Sequence, residues 1–233
     1  MDTQTLIERE LKIRLADENA WADFCASLGV PDRVIRQVNT YFDTRDRRLC
    51  VAAERMVRVR ETSDSLVITV KDRANVADSL LLSSRERTTP VSKAQWRSVH
   101  RGHCALTELP IPLCQDLYRE VGQHLFPLGS MVNNRRVYTL SEGYIVEVDR
   151  TELPAGRVDF EVEIELRQDD HTTDAALRCL YAAVPTFAGQ PDPTTKYARF
   201  LEALGSASPR TVLSFSGDQN EKAPVTFEGG ASE

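Results

Sequence analysis

From Leu6 to Leu15 apolar and charged residues alternate, with Ile7, Leu11, Ile13 and Leu15 on one face and Glu8, Glu10, Lys12 and Arg14 on the other. A repeat of two marks a β-strand with one face in a core. The same reading gives strands over Val34–Phe42, Met56–Glu61, Leu66–Lys71, Leu80–Thr88, Met131–Leu140, Tyr144–Glu152 and Val158–Leu166. Turn chemistry punctuates them at Asp43-Thr44, Ser63-Asp64-Ser65, Glu142-Gly143 and Pro154-Ala155-Gly156. Elsewhere the pattern is helical. Asp17 caps a helix Glu18–Leu28 that ends at Gly29, and Ser92 caps another through Val99. A third helix is expected over Leu113–Leu125, and two more near Thr173–Val184 and Thr195–Leu204. Strands at hairpin spacing predict an α+β fold in which an antiparallel sheet of about eight strands closes, or nearly closes, with helices outside. Residues 206–233 are rich in Ser, Gly, Glu, Asn and Pro and lack a period, so they read as a disordered tail behind a folded unit of residues 1–205.

Composition narrows the class only a little. Hydrophobic residues are 41% and charged residues 27%, enough apolar mass for one core. The net charge of -6 argues against a nucleic-acid surface, which carries a basic excess. Cys25, Cys50, Cys104, Cys114 and Cys179 are widely spaced and odd in number, so neither a disulfide framework nor a cysteine zinc site is expected. No apolar signal core or membrane-length run is seen, and a soluble cytoplasmic protein is expected.

The polar faces of the strands change this picture, because their charges are sorted. Glu161, Glu163 and Glu165 share one face of the last long strand, and Glu147 and Asp149 one face of the strand before it. Cations take the middle strands: Arg58 and Arg60 alternate with Val57 and Val59, Lys71 shares a face with Val67 and Thr69, and Arg85 and Arg135 complete the set. Like charges two residues apart lie side by side and repel. Divalent metal ions compensate such carboxylates, and rows of Arg and Lys suit a phosphate chain. A lone Glu-x-Glu-x-Lys is ordinarily a solvated face. Agreement among several strands, all with strict parity, carries the inference of a metal–polyphosphate site.

These residues resemble the CYTH domain of the triphosphate tunnel metalloenzymes. The resemblance rests on Glu8-x-Glu10-x-Lys12, Asn39-Thr40-Tyr41-Phe42-Asp43-Thr44, Arg58-x-Arg60, Lys71, Arg135, Glu147-Val148-Asp149, Glu161-x-Glu163 and Thr195-Lys196-Tyr197, in the family's order over residues 5–204. It implies an eight-stranded antiparallel tunnel with an acidic metal side and a basic phosphate side. Glu8, Glu10, Asp149, Glu161 and Glu163 are then metal ligands for Mg²⁺ or Mn²⁺, with Glu147 assisting. Lys12, Arg58, Arg60, Lys71, Arg85, Arg135 and Lys196 contact the substrate, and Glu10, Lys12, Lys71 and Glu163 form the catalytic set. The stretch Ser84-Arg85-Glu86-Arg87 leaves open whether Arg85 or Glu86 faces inward. Arg136 has the wrong parity and is placed outside.

The resemblance implies metal-dependent hydrolysis of a small-molecule triphosphate, tripolyphosphate ahead of thiamine or nucleoside triphosphates, by a monomer or homodimer without nucleic-acid or membrane partners. A class IV adenylyl cyclase shares the same motifs. A non-catalytic polyphosphate-binding module would show degraded carboxylates, and an RNA 5′-triphosphatase would want a basic surface. No nucleophile set and no phosphate-binding glycine loop is present, so phosphate recognition falls to side chains. His100, His103, His124 and His171 lack ligand spacing and are expected to be exposed, whereas Trp21, Trp96 and Tyr118 read as packing residues.

Overall fold

The computed structural model describes residues 3–52, 55–73, 81–166, 172–187 and 189–205. The expected tail, Leu80 and His171 lie outside the described residues. Eight strands form one sheet: β1 (Gln4–Leu15), β2 (Arg33–Asp43), β3 (Arg55–Glu61), β4 (Leu66–Arg73), β5 (Leu81–Pro90), β6 (Phe126–Thr139), β7 (Ile145–Glu152) and β8 (Val158–Glu165). They pair antiparallel in the order β5-β4-β3-β2-β6-β7-β8-β1, and β1 returns to β5. The sheet is therefore a closed barrel, as the alternation predicts. A two-residue strand, β9 (Gln190–Pro191), joins β1 at Ile13 and Arg14. No periodicity announces it, because two residues carry none.

The helices are α1 (Glu18–Leu28), α2 (Arg48–Ala52), α3 (Lys93–His100), α4 (Pro112–Val121), α5 (Thr173–Ala183) and α6 (Lys196–Ala203). Asp17 accepts from the Ala20 N–H at 2.9 Å, and Ser92 and Gln95 form a reciprocal capping box. Helix α4 stops short of the expected Leu125 because Gly122, at φ 72, takes the left-handed C-cap. Helix α2 follows the expected turn at Asp43-Thr44, in a stretch where the sequence pattern gives no element. The fully buried Asp43 carboxylate accepts backbone N–H groups from Thr44 (2.7 Å), Leu49 (2.9 Å) and Cys50 (3.1 Å), which winds the chain into a short helix. Strand β6 begins at Phe126, earlier than the expected Met131, since Pro127 and Gly129 look like loop in sequence. Gly129 stands at φ 153, and a Cβ there would meet Phe200 Cζ at 3.4 Å.

Because the barrel interior is charged, the apolar core lies around it. Leu11, Ile13, Val146, Val148, Val162 and Ile164 point outward and pack on Phe24 of α1 and Ala176 and Leu180 of α5. Val57, Val59, Ile68 and Val70 do the same against Val99 of α3 and Leu113 and Leu117 of α4. Each such side chain contributes roughly 1.5–3 kcal/mol by leaving water. A third cluster sets α6 over one end of the barrel, where Tyr197, Phe200 and Leu201 meet Tyr41, Met56 and Met131. Arg136 lies outside as expected, its guanidinium 4.5 Å from the Trp21 ring centre. Trp96 packs beside the second core and donates to Glu61 at 3.2 Å. Tyr118 is a correction: it is exposed and stacks on His124, which is itself half-buried rather than exposed. All five cysteines are free thiols. Among the described residues no helix is long and apolar enough to cross a membrane.

Candidate active site

Strand register aims one parity of every strand into the lumen. Across β7 and β8, Glu147 faces Glu163 and Asp149 faces Glu161; across β8 and β1, Glu163 faces Lys12 and Glu165 faces Glu10. Across β3 and β4, Arg58 faces Thr69, and Arg60 lies opposite Asn39 of β2. Opposed residues of an antiparallel pair share a face. The result is a cavity of about 260 Å³ lined by Glu8, Glu10, Lys12, Arg58, Arg60, Lys71, Arg135, Glu163 and Lys196.

The acidic half centres on Asp149, Glu161 and Glu163, all buried, whose oxygens lie within 4.8 Å of one another. Three carboxylates so placed require cations. Arg135 donates through Nε and Nη2 to Asp149 at 2.8 and 2.7 Å, to Glu163 at 2.5 Å, and also to Glu147. Lys196 Nζ lies 2.7 Å from Asp149 and 2.8 Å from Glu163, in contact with Glu161. Lys12 Nζ bonds Glu163 and lies 3.2 Å from Glu10. Burial works to raise Asp149 and Glu10, but the cations outweigh it. Arg135 and Lys196 hold Asp149 well below the carboxylate range, and Lys12, Lys71 and Lys196 hold Glu10 at about 2. Burial pushes Lys12 down against the pull of Glu10.

Glu8 stands apart from this cluster. It sits one step further along β1, bonded to Lys71, which also contacts Glu86 at 3.1 Å. Burial would lower the Lys71 pKa, but Glu8, Glu10 and Glu86 turn the balance and raise it. In the opposite half cations outnumber anions, with Glu86 acting on both Arg58 and Arg60. Arg60 donates to Asn39 at 3.0 Å, and the Arg58 Nε is buried without an acceptor. Burial first, then Arg58 and Arg135, draws Arg60 down to about 9.

Arg85 departs from its expected place. It pairs with Ile7 on the outer face, is exposed, lies 3.5 Å from Asp72, and lines an external depression of about 810 Å³ with Arg48, Arg55 and Arg87, of which Arg55 also lines the tunnel cavity. Glu86 takes the inward position, because it shares parity with Ser84 and Leu82, which face Glu8 and Glu10. Sequence reasoning also passed over Arg199 and Asp159. Arg199 is buried, bonds Glu161, and lies 2.9 Å from Asp159. Both had a signal: Asp159 continues the parity of Glu161 and Glu163, and Arg199 follows Lys196 by one helical turn.

This arrangement can be set beside known proteins. The family model described as the CYTH domain matches residues 6–182. The chain belongs to the CYTH family. Among solved structures, this CYTH chain resembles HpAC1 of Hippeastrum, named as an adenylyl cyclase candidate with a dominant triphosphatase activity. Their identity is 22%, the match covers 87% of this chain and 98% of that one, and the TM-score is 0.73. An adenylate cyclase candidate of Bacillus halodurans follows at 20% identity, 84% and 98% coverage, and a TM-score of 0.67. The PH1819 protein of Pyrococcus horikoshii gives 15% identity, 84% and 98% coverage, and 0.53. At these identities the likeness is one of fold. No curated protein matches the chain.

A divalent metal fits the acidic half of the CYTH tunnel. Its donors are all hard carboxylate oxygens, the set that Mg²⁺ and Mn²⁺ favour. Glu161 Oε1 is buried and receives no aligned hydrogen bond, with only the Lys196 and Lys12 ammonium groups near it as charges.

Proposed function

We propose that this CYTH protein hydrolyses a linear triphosphate, inorganic tripolyphosphate ahead of thiamine or nucleoside triphosphates, with Mg²⁺ or Mn²⁺ held in the acidic half. One observation carries the reading. Glu8, Glu10, Glu147 and Glu163, the last belonging also to the buried cluster with Asp149 and Glu161, line the same 260 Å³ cavity as Arg58 and Arg60, and a buried donor on Arg58 lacks an acceptor. A metal–triphosphate complex satisfies both at once. The triphosphatase activity named for HpAC1 supports the choice.

Asp149, Glu161, Glu163 and Glu10 would hold the metal, with Glu8 reaching in from the β1–β5 side. When bound, the metal neutralises phosphate charge and acts as a Lewis acid on a phosphoryl oxygen. Arg58, Arg60, Lys12, Lys71, Arg135 and Lys196 would grip the chain and align its terminal phosphoryl group, so the residues work by positioning and fixed charge. Glu10 or Glu163 would orient and activate the attacking water, while Lys12 and Lys71 beside them would hold the charge that builds on the transferred group. Arg85, on the outer face, has no part in this set.

Phosphate release from tripolyphosphate, ATP and thiamine triphosphate, with and without Mg²⁺ or Mn²⁺, tests the reading. The expected result is metal-dependent release, fastest from tripolyphosphate, that falls by about a hundredfold or more in Glu163→Gln. Cyclic AMP and pyrophosphate from ATP, without phosphate release, would reassign the site to a cyclase.

A further inference from the structure

The three carboxylates that suit a metal already enclose a cation. Lys196 Nζ sits where they converge, 2.7 Å from Asp149 Oδ2, 2.8 Å from Glu163 Oε1 and in contact with Glu161 Oε1. The other cations at the cluster are differently held. Lys12 and Arg135 rise from barrel strands, Arg135 spreads four donor contacts over Asp149, Glu147 and Glu163, and Arg199, also on α6, is tied to Glu161, to Asp159 and to the Thr194 carbonyl. Lys196 comes instead from the first residue of α6, at the barrel's end, and its buried ammonium makes no aligned hydrogen bond. Its attachment is a point charge on a flexible four-carbon stem. It is the cation that leaves with least disruption. An ammonium and a divalent ion cannot share one set of three oxygens, because their mutual repulsion at that spacing opposes it.

We propose that Lys196 occupies the metal position in the empty tunnel and yields it when a triphosphate enters, its ammonium turning from the carboxylates to the phosphate chain. The identity of the anion rests on the function proposed above; the occupancy by Lys196 does not. A metal ion binding alone would strand the lysine's charge without a counter-ion in a buried site. A triphosphate binding alone would draw the lysine away and leave Asp149, Glu161 and Glu163 short of one cation. Each ligand removes the obstacle to the other, so the two bind cooperatively, and the coupling is reciprocal. The tunnel thereby refuses free metal ions until there is a phosphate chain to act on.

The test is Mn²⁺ binding to the full chain, read from the electron paramagnetic resonance of free Mn²⁺, so that no turnover is needed. Imidotriphosphate, in which nitrogen replaces the bridging oxygens, serves as the non-hydrolysable anion. In the wild type the analogue is expected to tighten Mn²⁺ binding at least tenfold. Lys196→Met is expected to tighten Mn²⁺ binding without analogue by tenfold or more and to lose most of the enhancement. Equal wild-type affinity with and without analogue overturns the proposal without recourse to a variant. So does a Lys196→Met protein that melts cooperatively yet binds Mn²⁺ no better than wild type. Should that variant not fold, Lys196→Gln carries the same prediction. Phosphate release fails independently: tightened Mn²⁺ binding in a protein that hydrolyses no triphosphate keeps the lysine in its role and sinks the hydrolase reading.

Discussion

Replacing Arg58 with Met separates what the cationic half of the tunnel costs the fold from what it does for the ligand. Arg58 is buried, its Nε has no acceptor, and it shares a strand face with Arg60, which burial and then Arg58 itself draw down to about 9. Two residues along a strand place such charges roughly 7 Å apart, where an effective dielectric of about 20 gives about 2 kcal/mol of repulsion. Methionine fills a similar volume without needing a partner. The empty protein should therefore gain about 1–2 kcal/mol, a rise in Tm of about 2–8 °C for a chain of this size. The ligand should suffer: a charge-assisted bond to phosphate is worth about 1.5–3 kcal/mol, or roughly 10- to 150-fold in Kd. Calorimetric melting in EDTA measures the first effect, and titration with imidotriphosphate and Mg²⁺ the second. A lower Tm would refute the claim that this half carries an excess of cations, and unchanged affinity would remove Arg58 from the phosphate contacts.

Three further outcomes are expected. Glu10 is held at about 2 in the fold, below its unfolded value, so its stabilising effect is complete above about pH 4.3 and is lost as the pH falls toward 2; Glu10→Gln should flatten the loss of stability across that window in urea midpoints, and an unaltered slope would deny the carboxylate its place among the lysines. Asp43→Ala removes the acceptor of three backbone N–H groups, and should cost about 3–5 kcal/mol in urea unfolding; Asp43→Asn, keeping one oxygen, should recover part of it, while a loss under about 1 kcal/mol would show that α2 is held by other means. Arg85→Ala should leave tripolyphosphate turnover within about twofold of wild type, whereas Arg60→Ala weakens it about tenfold or more. Equal losses would return Arg85 to the tunnel.

The barrel and most of its lining were legible because a strand has a period of two and the charges kept it. Spacing put Glu8, Glu10 and Lys12 on one face, agreement with the other strands made that face a candidate site, and Arg136 was placed outside by parity alone. Arg85 shows where the method runs out. Residues 84–87 alternate polar with polar, so parity could not be anchored on an apolar neighbour, and the register against β1 decided it. Helix α2 was hidden for another reason: five residues are too few to show a helical period, and their order comes from Asp43, a side chain outside the helix. The division between Glu8 and the Asp149–Glu161–Glu163 cluster is likewise three-dimensional. Sequence lists carboxylates of one parity, but only the meeting of β7, β8 and α6 shows which of them converge.

The pairing of β1 on both its edges bears on how the chain acquires its shape. Glu10 sits opposite Leu82 on one side and Glu165 on the other. Strand β1 precedes every other barrel strand in the chain and therefore waits until β8 is made before both of its partners exist. Contacts of such long separation must close large loops before they return any stabilisation, which slows assembly. Until β8 arrives, Leu11 and Ile13 have no settled cover and the β1 edge is open to other chains. Synthesis of the barrel thus passes through a long interval in which β1 is a sticky, unsatisfied edge, and the final snap of closure brings the fold and the charged lumen into being together.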